Sequence, residues 1–241
     1  MAFVINENLD KWLLPSYEGE YTNGAYSACY KLAVFMTLFI QAFRMGAEPF
    51  FFNHSDKANA KETYATILKY FTIVGTLGLI IVTVYIDVLR PIFIKKETYL
   101  LALDIVPIVL LANLCLGIYH NLSIWYKLTD KTRYGMYISL VGAIITIGFN
   151  IIFIPKLGFM ACAYATLLAY GLMMLISVAL GRKHYPVPYD FKRIAMYLLG
   201  GTLISFLSYY QFDRDILIGT VFLCVFVFAV ILFEKKDLKR L

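Results

Sequence analysis

The sequence predicts an all-α, polytopic membrane helix bundle with seven transmembrane helices. Three observations lead there. Apolar residues make up 61% of the 241 and charged residues only 16%, where an ordinary soluble domain is roughly 45–50% apolar. Mean hydropathy is +0.71. The apolar residues fall into charge-flanked blocks of about 20, the length that crosses the hydrocarbon core as a helix. Such a chain is not a soluble enzyme, a disordered tail or a nucleic-acid module. The net charge of +6 needs no anionic partner, because the basic residues sit in connecting loops.

The blocks run over 24–45, 66–86, 99–120, 134–154, 158–180, 194–210 and 216–233. The first ends at Pro49, which no helix interior tolerates well. Between 50 and 70, Lys57, Lys61 and Lys69 share one helix side. That reads as an amphipathic lead-in to the second span, lying on a membrane surface. Pro107 loosens the third span. Pro155-Lys156-Leu157-Gly158 reads as a tight turn that folds the fourth and fifth spans into an antiparallel hairpin. Pro186 and Pro188 break the chain before the sixth span. Tyrosines such as Tyr99, Tyr134 and Tyr209 form an interfacial belt.

Lys and Arg set the orientation. Of the 22, the side holding the C-terminus collects 15, and the other holds Lys11, Lys31, Arg90, Lys95, Lys96, Lys156 and Arg214. A cytoplasmic C-terminus follows, and seven spans then put the N-terminus outside. A charged segment such as 6–20 crosses poorly without a signal, so Met1 to Ile5 reads as the stub of a preceding helix. The expected organisation is a stub and external loop over 1–23, five helices over 24–180, two more over 181–233, and a cytoplasmic tail over 234–241.

Charge inside the hydrocarbon region is costly and marks candidate sites. The first span carries Lys31, Gln41, Arg44 and Glu48. At 100° per residue, Gln41, Arg44 and Glu48 share an arc of about 60°. Lys31 lies about 80–140° round from them and about 20 Å away along the axis. One helix thus offers two cationic groups at different depths, with Glu48 one turn from Arg44 and able to pair with it. In the third span, Asp104 lies near the outer end, and Asn113, Gly117 and His120 share a face. Small and polar residues on one face also pack helices together. Cys29, Cys115, Cys162 and Cys224 lie far apart in apolar stretches, which suits packing residues and no metal site. No catalytic motif and no cofactor-binding motif is present.

Several runs resemble a known family. Gly24-Ala-Tyr-Ser-Ala-Cys-Tyr-Lys31, then Gln41-Ala-Phe-Arg44 and Glu48-Pro49, resemble the eighth helix of bacterial polysaccharide flippases of the Wzx (O-antigen) type. Pro107 to Asn113, with Trp125-Tyr-Lys127 and Asp130-Lys-Thr132, looks like their tenth helix and the loop after it. Asn150, Pro155 and Gly158, with Ala163-x-Ala-Thr166, look like their eleventh and twelfth helices. These flippases belong to the multidrug/oligosaccharidyl-lipid/polysaccharide exporter superfamily. The resemblance implies a 14-helix protein of two six-helix lobes plus two C-terminal helices, of which this chain supplies helices eight to fourteen. It departs from the family in lacking the N-terminal lobe, which is then a partner in the same or a separate chain.

The implied function is translocation of undecaprenyl-diphosphate-linked oligosaccharide across the bacterial inner membrane by alternating access. Arg44 would meet the diphosphate and Lys31 would take it over, while Gln41 bonds sugar or phosphate oxygens. Glu48, Asp104 and Asn113 complete the candidate cavity. Further implied partners are the lipid bilayer, a polysaccharide polymerase and glycosyltransferases. Two other readings stay open. One is a cation-coupled multidrug antiporter, for which Asp104 is the carboxylate candidate. The other is a non-transporting chain, an inactive truncated remnant or a membrane anchor.

Overall fold

The computed structural model describes residues 2–94 and 96–238, with side-chain environments for 8–94 and 96–235. Expectations placed on Met1, Lys95 and 239–241, and on the side chain of Lys236, lie outside the described residues. The chain folds as an all-α bundle: α1 (Ala2–His54), α2 (Ala60–Val84), α3 (Ile86–Phe93), a 3-10 turn (Glu97–Ala102), α4 (Ile105–Leu122), α5 (Ile124–Leu128), α6 (Arg133–Leu157), α7 (Phe159–His184), α8 (Phe191–Phe206), a π turn (Leu207–Gln211) and α9 (Ile216–Leu238). Among the described residues there is no strand.

The segment expected to be a stub and an external loop is helical. Its helicity breaks once, at Gly19, with φ 83° and ψ 168°. Tyr26 Oη donates to Asp10 Oδ2 at 2.5 Å, and Lys11 Nζ lies 4.5 Å from the centre of the Tyr30 ring. Sixteen residues of straight helix would separate Asp10 from Tyr26 by about 24 Å. The first arm of α1 therefore folds back along the second. Glycine suits this hinge because a side chain strains a backbone at that φ. The first arm seats Leu14 in the core and hides the Asp10 carboxylate, which also accepts from the Lys11 backbone N–H at 2.8 Å. Tyr26→Phe removes a donor from a buried carboxylate. We expect a loss of about 1–3 kcal/mol, read as a lower unfolding midpoint in detergent; an unchanged midpoint would show that the arm is held without it.

Six described helices are long and apolar enough to cross a membrane: the α1 unit, α2, α4 with α5, α6, α7 and α9. The protein is thus a multi-pass membrane bundle. The sixth sequence span is 16 residues of α-helix in α8 carried on by the five-residue π turn, together about 30 Å.

α4 is the central helix and is buried along nearly all its length. α1, α2 and α7 pack around it, α6 lies against α1 and α7, α8 lies against α2, and α9 stands at the edge. The expected α6–α7 hairpin forms at Gly158 (φ 60°), with the helix continuing through Pro155. Ile144, Ile152, Val221, Phe228 and other apolar side chains of α6 and α9 face outward, as helices in lipid do.

The bundle has two ends. One holds Gly19, Gly158 and the 3-10 turn: Tyr21 Oη donates to Thr98 O at 3.1 Å, and Arg214 pairs with Asp87 at 3.5 Å. The other holds Lys127 and gathers Lys61, Lys69 and Arg193. Here two expectations are corrected. Lys69 does not lie on a membrane surface: it is buried and paired with Glu234. Glu234 is no tail residue either, being 1% exposed inside α9. α9 runs past the apolar block because Lys69, Arg193 and Tyr197 satisfy that carboxylate.

Candidate functional site

A polar recess of about 100 Å³ opens between the second arm of α1, α4 and α7. Its wall is built from two helical stripes. On α1, Tyr30, Thr37, Gln41 and Arg44 recur at helical spacing and share one face. On α4, Asn113, Leu116 and His120 do the same. Tyr170 of α7 and Ile40 complete it. Asn113 Nδ2 donates to Ala33 O at 3.4 Å and Thr37 Oγ1 at 3.3 Å, which ties the two stripes together. Small residues permit this approach. A Cβ on Gly117 would meet Phe71 Cζ at 2.6 Å and Ile40 Cγ1 at 2.9 Å.

Beside Arg44, two cations converge on one carboxylate. Arg44 Nε donates to Glu48 Oε1 at 3.1 Å. Lys127 Nζ donates to the same oxygen at 2.8 Å. The pairing of Glu48 with Arg44 was expected from their spacing; the second cation, on α5, was not. Among the described residues lining the recess there is no carboxylate.

Of the six candidates read from the sequence, Gln41, Arg44 and Asn113 line the recess, and Glu48 reaches it through Arg44. Lys31 and Asp104 are not among the lining residues. Lys31 is exposed on α1, round the helix from the lining stripe. Asp104 immediately precedes α4 at the opposite end, where its carboxylate accepts from Tyr209 Oη at 2.9 Å and its carbonyl from Tyr210 Oη at 3.0 Å. Sequence reasoning missed Tyr30, Thr37 and Tyr170 as lining residues. The first two lie on the stripe of Gln41 and Arg44, so extending that stripe upward finds them. Tyr170 gives no such signal, since one tyrosine in an apolar span looks like any other. Asp10 was also missed, because its segment read as a loop.

Comparison with protein families matches the MatE model over residues 2–152. The chain belongs to the MatE family. No curated protein and no solved structure matches it. The MatE match covers α1 to most of α6, and so both stripes of the recess, Glu48 and Lys127; Tyr170 lies beyond it. MatE proteins are transporters rather than enzymes. As a MatE member the protein is a membrane transporter or flippase of the multidrug/oligosaccharidyl-lipid/polysaccharide exporter superfamily.

Proposed function

We propose that this protein moves a lipid-linked oligosaccharide, carried on undecaprenyl diphosphate, across the bacterial inner membrane for surface-polysaccharide synthesis. The observation behind this reading is the chemistry of the recess: a guanidinium at its mouth, hydroxyl and amide groups along its wall, and no carboxylate lining it among the described residues. An anionic diphosphate crossing a low-dielectric core needs a matching cation. Sugar hydroxyls need side chains such as Gln41, Thr37 and Asn113. A cationic drug asks for the opposite charge, and Asp104 is occupied at the far end.

The Lys127 end, rich in Lys and Arg, is the cytoplasmic one on this reading, with the C-terminus there. Arg44 receives the diphosphate from that side. The exposed face of α1 with Lys31 looks into a cleft closed by an N-terminal lobe, and rocking of the lobes carries the headgroup from Arg44 toward Lys31.

Arg44→Ala in the protein as its own cells make it is the test. A charge-assisted contact is worth about 1.5–3 kcal/mol, so export of surface glycan should fall roughly 10–100-fold at normal membrane levels. Lys31→Ala should lower it as well. Unchanged glycan in both variants would overturn the reading. Normal glycan with altered drug sensitivity on deletion of the protein would replace it with drug export.

A further inference from the structure

We infer that Glu48 is a built-in counter-anion that makes the Arg44 site selective for polyanionic headgroups. The inference rests on the reading of Arg44 as the diphosphate-binding group.

Arg44 and Glu48 lie one turn apart on α1, and Lys127 arrives from α5, just beyond the central helix. Both cations use the same carboxylate oxygen, Glu48 Oε1. Two positive charges thus share one negative charge, and among the described residues no other carboxylate forms an ion pair with either. The three side chains are 37%, 33% and 24% exposed for Arg44, Glu48 and Lys127. Ion pairs this open to solvent are weak and exchangeable. Only one guanidinium nitrogen, Nε, faces Glu48, whereas arginine offers five N–H donors to an incoming anion.

Competition follows from these facts. The tethered carboxylate is always at hand, so its effective concentration is high. A free monoanion brings the same charge without the tether and loses. A diphosphate brings more charge and several oxygens able to engage Arg44 and Lys127 together. It can displace Glu48, while phosphate-free amphiphiles and simple carboxylates cannot. Glu48 is therefore a specificity-determining residue: it weakens every anion somewhat and excludes the weakly charged ones.

Binding to the full chain in nanodiscs of zwitterionic lipid tests this, with inorganic pyrophosphate and acetate as probes. Wild-type protein is expected to bind pyrophosphate and to ignore acetate. Glu48→Gln should bind pyrophosphate about tenfold more tightly and let acetate compete, so the selectivity ratio collapses. Lys127→Gln, which leaves Glu48 to Arg44 alone, should weaken pyrophosphate binding. A merely structural Glu48 would change stability and leave the selectivity ratio alone. If Glu48→Gln binds pyrophosphate no more tightly than wild type while Arg44→Ala abolishes binding, the counter-anion is overturned and the diphosphate reading stands. If Arg44→Ala binds as well as wild type, or if neither wild type nor Glu48→Gln binds at all, both fall.

Discussion

Glu234→Ala is expected to destabilise the bundle by about 3–5 kcal/mol, the range for breaking a buried ion pair from one side. Glu234 is wholly buried and accepts from Lys69 Nζ at 2.5 Å, Tyr197 Oη at 2.7 Å and Arg193 Nη1 at 3.2 Å. Alanine leaves the Lys69 ammonium, itself 8% exposed, without that carboxylate. Arg193 suffers less, because it also pairs with Asp190 at 3.1 Å. The three partners come from α2 and α8, so the loss falls on the seating of α9. Thermal unfolding in detergent should show a drop of several degrees, and limited proteolysis should cut α9 first. Lys69→Met in the same chain should recover part of the loss, since it removes the buried ammonium left without its carboxylate, while the cavity left by the smaller alanine remains. A single variant as stable as wild type would mean that α9 is held by its apolar face alone.

The same network shows where sequence reasoning stops. Spans are legible because about 20 apolar residues in a row have one use in a membrane. The α6–α7 hairpin is legible because proline and glycine punctuate the chain there. Lys69 was read as lying on a membrane surface and Glu234 as the start of a tail. Lys69 and Glu234 are 165 residues apart, and nothing local marks them as a pair. The fold-back at Gly19 was hidden in the same way. Its arm is too polar to read as a span, and the Asp10–Tyr26 contact that fixes it is tertiary.

The recess divides along this line too. Gln41, Arg44 and Glu48 could be aligned from the helical period, as could Asn113 and His120, since each stripe lies on one helix. The period of a helix does not say which neighbour its stripe will face. Lys31 therefore stood as a candidate beside Arg44 although it lies round the helix from the lining stripe. Asp104 was grouped with Asn113, although nine residues of α4 set them about 14 Å apart along the axis. Lys127 was read only as a loop charge.

Gly117 is where the fold and the recess meet, and its replacement is expected to damage both. The residue lies on the buried central helix, and its missing Cβ would meet α1 at Ile40 and α2 at Phe71. Phe71 cannot yield freely, because its ring is stacked on Phe39 at 5.2 Å and packed on Phe43 at 4.6 Å. Glycine to alanine normally favours a helix by about 1 kcal/mol. Overpacking of a filled core costs about 1–3 kcal/mol, and with a ring clamped in place the second effect should win. Gly117→Ala should therefore lower the unfolding midpoint modestly, and Gly117→Leu should prevent stable accumulation in the membrane. Ile40 also lines the recess, so an alanine that pushes α1 outward shifts Thr37 and Gln41 away from Asn113. Transport by Gly117→Ala should then fall further than the folded fraction does. Unchanged stability and transport in Gly117→Ala would mean that this contact does not set the separation of α1 and α2 across α4, and the recess would owe its shape to the Asn113 hydrogen bonds instead.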